Sequence, residues 1–458
     1  MEHVHRAFVP GETIAAVATP PGEGGVAVIR ISGKDALAIA EKVFSGPIRA
    51  YKTHTAHFGK IRDGAGNTVD EVLALVMLGT RSYTGEDTVE IHCHGGSLIT
   101  RRVLDTILQA GARAAQPGEF TFKAFINGKL DLAQAEAVQS LIGAKNDLAV
   151  KMAEQQLQGK ISHQISSFQK KLTDIAAILE AWVDFPEEDL EFATMDEVID
   201  ALHETKQKMQ QLAATFHDGK IVSHGIALCL AGPPNVGKSS LMNALLGKQR
   251  AIVTDIPGTT RDILEEEMKL GNLHFRLIDT AGIRETHEVV EKEGIRRSRE
   301  AMQHADLILL VLDASTELCP EAHALIASAP KEKTLLVWNK IDLPSAKIPH
   351  VDLPFTLCVS AKEGIGLEFL REEIDRIIWR KGPPAKDEIV ITNSRHHQAL
   401  TNAIDALQTL IEGLKTGVSP EFVASDMRKV LSELGTIIGT NITEDILSAI
   451  FSKFCIGK

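Results

Sequence analysis

Gly232-Pro233-Pro234-Asn235-Val236-Gly237-Lys238-Ser239 is the stretch that decides the fold, because its spacing is Gly-x-x-x-x-Gly-Lys-Ser. The apolar run Ile226–Ala231 before it is predicted to be a buried strand, and residues 240–246 after it are predicted to be a helix. Such a loop turns its backbone N–H groups toward phosphates, and the following helix adds the positive end of its dipole. We therefore expect Lys238 to neutralise the β- and γ-phosphates of a nucleotide and Ser239 to bind Mg²⁺.

Four further short segments follow this loop in the order expected of a GTPase. They are Gly258-Thr259-Thr260-Arg261-Asp262, Asp279-Thr280-Ala281-Gly282, Asn339-Lys340-Ile341-Asp342 and Ser360-Ala361-Lys362. Thr260 is predicted to complete the Mg²⁺ shell, and Asp279 to bind Mg²⁺ through water and sense the γ-phosphate. The Asp342 carboxylate can accept hydrogen bonds from guanine N1–H and the exocyclic amine, a donor pair that adenine lacks. Each segment is weak evidence alone, but the ordered set indicates a GTPase.

The position that supplies a water-orienting glutamine in Ras-like GTPases is occupied by Ile283. An isoleucine can neither orient the attacking water nor accept its proton. The catalytic group must then come from elsewhere, and the candidates are the acidic residues within 285–293 or a partner protein.

The segments around the loop predict an α/β domain inserted into a helical domain. Apolar runs at 226–231, 275–278, 307–312, 335–338 and 355–359 are typical of a parallel sheet covered on both faces. Helical composition occupies 130–184 and 195–216 before them and returns at 395–414, 420–434 and 443–454. The first 130 or so residues are predicted to be α+β, with strands at 26–31, 72–78 and 88–92 and a helix at 98–110.

Composition limits the classes of protein that remain. The chain of 458 residues has a net charge of −12, which disfavours long-range attraction to a phosphate backbone, so any nucleic-acid contact needs a local basic patch or a basic partner. Five scattered cysteines predict free thiols in a reducing compartment. Residues 1–10 do not resemble a signal peptide, and no apolar run is long enough for a bilayer. We expect a cytoplasmic location without stable membrane insertion.

Both ends of the chain carry a resemblance to one family. The C-terminus is Cys455-Ile456-Gly457-Lys458, and the N-terminal region contains Ala18-Thr19-Pro20-Pro21-Gly22 and Pro117-Gly118-Glu119-Phe120-Thr121, with a third stretch at 127–137 that begins Asn127-Gly128-Lys129-Leu130-Asp131. With the inserted GTPase segment, these closely resemble the MnmE (TrmE) family of tRNA-modification GTPases, within the TrmE-Era-EngA-YihA-Septin-like superfamily. The resemblance covers essentially the whole chain.

This resemblance implies a domain plan and a set of ligands. The plan is a folate-binding and dimerisation domain at 1–127, helical regions at 128–220 and 383–458, and a GTPase domain at 221–382. Folate contacts, to 5-formyl- or methylene-tetrahydrofolate, are implied for Arg30, Glu90, Lys129 and Lys458. Cys455 is placed at the modification centre, although a small buried residue at a helix end explains it equally well.

For the nucleotide, the resemblance implies K⁺ activation and a glutamate, Glu291, that orients the attacking water. The implied K⁺ ligands are Asn235, Thr254, Ile256 and Thr259, and the implied Mg²⁺ ligands are Ser239 and Thr260. The full implied GTP-contact set is Asn235, Val236, Gly237, Lys238, Ser239, Ser240, Thr254, Asp255, Ile256, Pro257, Gly258, Thr259, Thr260, Asp279, Thr280, Ala281, Gly282, Asn339, Lys340, Asp342, Ser360, Ala361 and Lys362. Glu291, Lys238, Asp279 and Cys455 are the implied catalytic residues.

The function implied is a K⁺-activated GTPase that acts on tRNA with a flavoprotein of the MnmG/GidA type. Together they would form a heterotetramer around the homodimer and add an aminomethyl or carboxymethylaminomethyl group to C5 of the wobble uridine. Two alternatives stay open: a regulatory GTPase switch of the ribosome-assembly kind, and a folate-dependent methyltransferase with an incidental GTPase. The switch shares every nucleotide motif but does not explain the N-terminal domain or the terminal Cys-Ile-Gly-Lys.

Overall fold

The computed structural model describes residues 11–184, 194–246, 266–270, 273–278, 300–379, 382, 384–385 and 388–457. Contacts divide the chain into two compact units. The first unit takes in described residues within 1–142, 153–210 and 398–458, and the second those within 143–152 and 211–397. The chain therefore leaves the first unit and later returns to it, which confirms the predicted insertion of one fold into another.

The first unit contains a six-stranded, mainly antiparallel sheet in the order β3-β4-β5-β2-β1-β6. Its strands are β1 Ile14–Val17, β2 Gly24–Ser32, β3 Thr55–Arg62, β4 Thr68–Met77, β5 Thr88–Gly95 and β6 Arg113–Ala114. Helices α1 Ala36–Val43 and α2 Ser97–Gln109 cover one face. Along β4, Val72, Ala74 and Val76 are buried because alternate side chains of a strand point to the same face. The intervening residues therefore point to the opposite face of the sheet.

Helices build the rest of this unit, and three of them have one end in residues that belong to the second unit. The predicted helical stretch 130–184 is divided into α4 Leu132–Ile142, α5 Asp147–Leu157 and α6 Lys160–Asp184, preceded by α3 Glu119–Ile126. The divisions fall at Gly143 and Gly159, residues that favour a helix end because they lack a Cβ. The remaining helices are α7 Met195–Ala214, α12 Ser394–Thr416, α13 Pro420–Ile438 and α14 Glu444–Phe451.

The second unit is a doubly wound α/β fold. Its sheet has the order β12-β11-β10-β7-β9-β8, and every neighbouring pair is parallel except β8 with β9. The strands are β7 Ile226–Ala231, β8 Glu266–Leu270, β9 Leu273–Ile278, β10 Leu307–Asp313, β11 Thr334–Asn339 and β12 Phe355–Cys358. Its helices include α8 Phe216–His224, α9 Lys238–Leu246, α10 Pro320–Ser328 and α11 Leu367–Ile378. Every residue of β7 and β11 is buried, as expected for central strands with helices on both faces.

The described residues include all five cysteines, and each is a thiol that takes no part in a disulfide, as predicted. Within the described ranges, each helix is too short or too polar to cross a bilayer.

Candidate functional site

The phosphate loop joins β7 to α9, and α9 begins at Lys238. The Lys238 Nζ donates to the carbonyl oxygens of Gly232 and Pro233, both at 2.7 Å. Burial lowers the pKa of Lys238. The ammonium group therefore lies against its own loop, and phosphate oxygens are stronger acceptors for it than the neutral carbonyls.

Asn339 connects three of the predicted nucleotide segments. Its side chain is 2% exposed; Nδ2 donates to the Val236 carbonyl at 2.9 Å, and Oδ1 accepts from the Ala361 N–H at 3.0 Å. Gly237 has φ +92°, and a Cβ at this position would overlap the Asn339 amide. The carboxyl ends of β7, β11 and β12 thus bring the phosphate loop, the Asn-Lys-Ile-Asp segment and the Ser-Ala-Lys segment together.

The predicted guanine-reading carboxylate is held in a defined orientation. The Ser360 hydroxyl donates to Asp342 Oδ1 at 2.7 Å. The Ile341 N–H donates to the Val359 carbonyl at 3.3 Å, which ties the two loops together. Asp342 retains further acceptor capacity, because a carboxylate has about four lone-pair positions. The arrangement fits recognition of two neighbouring N–H donors.

Part of the predicted nucleotide set lies outside the described residues. This part comprises Thr254, Asp255, Ile256, Pro257, Gly258, Thr259, Thr260, Asp279, Thr280, Ala281, Gly282 and Glu291, together with Ile283. Within the described set, Ser239 and Ser240 lie in the first turn of α9. Lys362 is exposed and pairs with Glu363 at 3.6 Å.

A second cluster of predicted site residues lies in the first unit. Arg30 on β2 faces Glu90 on β5, and its Nη2 is 2.8 Å from Glu90 Oε1. The side chains are only 16% and 14% exposed. The Arg30 guanidinium also lies over the rings of Tyr83 and Phe120, at 5.6 Å from each centroid. Burial raises the pKa of Tyr83, so its phenol is uncharged at neutral pH.

The C-terminal tail reaches this cluster. The Arg30 Nη1 donates to the Gly457 carbonyl at 3.5 Å, and the Gly118 N–H donates to the Cys455 carbonyl at 3.4 Å. Gly457 has φ +94°, and a Cβ there would overlap the Val17 carbonyl. The backbone of the tail is therefore packed against β1 and the start of α3.

The structure also describes Cys455, predicted at the modification centre, and Lys129, one of the two remaining predicted folate contacts. Cys455 is exposed, which leaves its thiol accessible. Lys129 donates to the Thr80 carbonyl at 2.7 Å, on the loop that also carries Tyr83. Lys458 lies outside the described residues.

Sequence reasoning missed three residues that the structure places at these sites: Tyr83, Phe120 and Asp313. Phe120 falls within one of the stretches that carry the family resemblance, but no local pattern marks it or Tyr83 as a site residue, because both are placed there by contact with Arg30 on β2. Asp313 had a signal, since it ends β10 at the same sheet edge as Asn339.

Comparison with known proteins identifies the family. Residues 13–129 match the family described as GTP-binding protein TrmE N-terminus, and residues 132–455 match MnmE helical domain. The chain is 63% identical over 458 residues to tRNA modification GTPase MnmE of Protochlamydia amoebophila, covering all of both chains. It is 45% identical over 453 residues to tRNA modification GTPase MnmE of Chlamydia trachomatis serovar A, covering 98% of this chain and 99% of the relative. The chain belongs to the MnmE (TrmE) family of tRNA modification GTPases.

A solved structure of Aquifex aeolicus Era bound to GDP and aluminium fluoride is also similar, at 25% identity. The match covers 40% of this chain and 67% of the Era chain, and with a TM-score of 0.26 it adds nothing to the assignment. Membership of the MnmE family confirms the resemblance inferred from sequence and makes the chain a GTP hydrolase that uses Mg²⁺.

Proposed function

We propose that this chain is a K⁺-activated GTPase whose turnover drives modification of tRNA at C5 of the wobble uridine. In this proposal residues 1–127 bind folate and residues 221–382 hydrolyse GTP. The helical regions 128–220 and 383–458 transmit the motion of the GTPase domain to the folate site. GTP binding is supported by the Asn339 and Asp342 contacts at the sheet edge. In the wider proposed contact set, Ser239 and Thr260 hold Mg²⁺ and Glu291 orients the attacking water.

For K⁺, the proposed ligands are Asn235, Thr254, Ile256 and Thr259. Among these, Asn235 is the one whose placement is described: it is exposed on the phosphate loop and has φ +61°. A left-handed backbone at a residue other than glycine is uncommon and points to a functional constraint. A monovalent cation beside the phosphates would stabilise negative charge that develops during hydrolysis.

The observation that carries the modification chemistry is the packing of the C-terminal tail against Arg30. A GTPase switch alone has no use for a C-terminal tail that carries an exposed Cys455 and packs against a half-buried arginine–glutamate pair of the N-terminal sheet. The cluster fits a reduced folate: Glu90, held by Arg30, suits the pterin N–H groups, and Lys129 and Lys458 suit the carboxylates of the glutamate tail. Bound 5-formyl- or methylene-tetrahydrofolate would supply the one-carbon unit.

A homodimer through the N-terminal domain is proposed from an apolar sheet face. Phe58 on β3 pairs with Leu73 on β4, and the two side chains are 69% and 46% exposed. Neighbouring apolar side chains on an open sheet face are typical of an interface.

We further propose a flavoprotein partner of the MnmG/GidA type, in a heterotetramer that acts on tRNA in the cytoplasm. The net charge of −12 supports a division in which a more basic partner supplies much of the tRNA-binding surface. The complex should therefore bind tRNA more tightly than this chain alone, and with a steeper dependence on salt.

Two experiments test the proposal. Nucleoside analysis of tRNA from a strain that carries Lys238→Ala should show loss of the wobble modification, as in a strain lacking the gene. Normal modification in that strain would make GTP turnover dispensable.

A tetrahydrofolate titration should show binding that Arg30→Ala abolishes. The control is Arg101→Ala, which changes an 81% exposed arginine of the same unit and should leave folate binding intact. No binding to the wild-type protein would favour the regulatory switch.

A further inference from the structure

The end of β10 supplies an acidic side chain that contacts the Asn-Lys-Ile-Asp loop directly and the phosphate loop through Lys340. Asp313 Oδ2 is 2.6 Å from Lys340 Nζ, and Asp313 Oδ1 accepts from the Ser315 N–H and hydroxyl at 2.9 and 2.6 Å. The Asp313 side chain is 12% exposed, against 33% for Lys340. The carboxylate is therefore well satisfied and oriented, with one oxygen held by Ser315 and the other directed at Lys340.

Lys340 connects Asp313 to the phosphate loop. The same Nζ donates to the Asn235 carbonyl at 2.7 Å. Among described residues other than glycine, positive φ values occur at His54, Asn235 and Lys340, so this hydrogen bond joins two of the three. Backbone of this kind persists only when surrounding contacts hold it. Asp313 is the charged group that fixes the lysine between the two loops.

Burial raises the pKa of Asp313, but the hydrogen bonds from Lys340 and Ser315 outweigh it and hold that pKa below its ordinary value. The carboxylate is consequently ionised at the pH at which the enzyme works. A charged acceptor makes a stronger hydrogen bond to an ammonium group than a neutral amide does.

We propose that Asp313 is a positioning residue for guanine-nucleotide binding, which acts through Lys340 to hold the phosphate loop at Asn235 in its binding conformation. Asp313 touches neither base nor phosphate in this role. It lowers the cost of ordering the two loops when the nucleotide binds, so it contributes to affinity and leaves the chemical step unchanged. The inference rests on GTP binding by the chain and not on the proposed folate or K⁺ chemistry.

The test compares Asp313→Asn with a matched control in the full-length protein. Asp313→Asn is nearly isosteric and removes the charge. It should raise the Kd of a fluorescent GDP and the KM for GTP about tenfold, which corresponds to about 1.4 kcal/mol. The kcat should stay within about twofold of the wild type. The control is Asp306→Asn, at the other end of β10, where Asp306 accepts from the Ala227 N–H at 2.9 Å. It should leave Kd and KM within about twofold. Wild-type binding of GDP in the same assay checks the nucleotide site itself.

A double-mutant cycle separates positioning from general stabilisation. If Asp313 acts through Lys340, adding Asp313→Asn to Lys340→Gln should change the Kd less than about twofold further. Asp313→Glu keeps the charge and should restore affinity to within about threefold of the wild type. The proposal is wrong if Asp313→Asn leaves Kd and KM unchanged, if it lowers kcat at constant KM, if the control shifts Kd equally, or if the two substitutions are additive.

Discussion

Asn339→Ala is the substitution that best tests how the nucleotide loops are held together. It deletes the amide that donates to the Val236 carbonyl and accepts from the Ala361 N–H. Both hydrogen bonds exist within the protein itself, without any nucleotide. The loss should therefore appear as reduced stability of the nucleotide-free protein as well as reduced GTP binding.

The size of the effect follows from what is left unpaired. A buried backbone group that loses its partner costs about 1–3 kcal/mol. Val236 is 5% exposed, so its carbonyl should lie near the upper end of that range, whereas water can reach the half-buried Ala361 and reduce its share. We expect the free energy of unfolding of the second unit to fall by about 2–4 kcal/mol. At about 2 kcal/mol per molar urea, the middle of the usual range for a small domain, the midpoint should fall by about 1–2 M.

The assay uses the position of the three tryptophans. Trp338 and Trp379 lie in the second unit and Trp182 lies in the first. In a Trp182→Phe background, tryptophan fluorescence during urea unfolding therefore reports the second unit alone. Trp338 is fully buried, so its emission should change strongly on unfolding.

The control is Asn67→Ala, which removes a side-chain hydrogen bond to Asp63 in an exposed turn of the first unit. It should not move the midpoint reported by Trp338 and Trp379. A midpoint for Asn339→Ala within about 0.2 M urea of its parent would refute the argument that this amide holds the loops together, since the expected shift is about 1–2 M.

Three further predictions concern the tail and the hydrolytic step. Phe451→Ala removes a ring that is 0% exposed, so it should destabilise the first unit by about 3–5 kcal/mol and speed amide hydrogen exchange in the C-terminal tail. The control is Ile456→Ala, at a residue that is 60% exposed, and it should cost under about 0.5 kcal/mol. Equal tail exchange rates in Phe451→Ala and the wild type would contradict anchoring of the tail by this ring. Glu291→Ala should keep GTP binding and reduce hydrolysis about 100-fold or more in a single-turnover assay, and intact turnover would remove the residue from the mechanism. Replacing K⁺ by Na⁺ should slow the wild type but not Asn235→Ala; equal wild-type rates in the two salts would disprove K⁺ activation.

The sequence predicted the central strands of the second unit closely. The predicted run 226–231 matches β7, and the other predicted ends lie within two residues of β9, β10, β11 and β12. All of these except the edge strand β12 are largely buried, so their apolar runs are continuous and easily recognised. The edge strand β8 was not predicted, because Glu266, Glu267 and Lys269 interrupt its apolar pattern. An edge strand has one exposed side and tolerates such charges.

The candidate sites were predictable to different degrees. The nucleotide segments were found because each is a short contiguous motif, and the phosphate loop, the Asn-Lys-Ile-Asp segment and the Ser-Ala-Lys segment each follow a predicted strand. Arg30 and Glu90 were named only through the family resemblance, since a lone arginine and a lone glutamate ordinarily indicate surface charges. Their pairing follows from the register of β2 with β5, which no local pattern records.

By itself, the sequence determined that this protein binds a guanine nucleotide, because backbone loops and their catalytic side chains are encoded in contiguous residues. Tertiary structure alone decided that Gly457 lies against Arg30, 427 positions away, and that Asp313 holds Lys340 against Asn235. Such contacts depend on which sheet edges and helix ends meet when the core is buried. These contacts result from the packing of the whole fold, which no single stretch of the sequence determines.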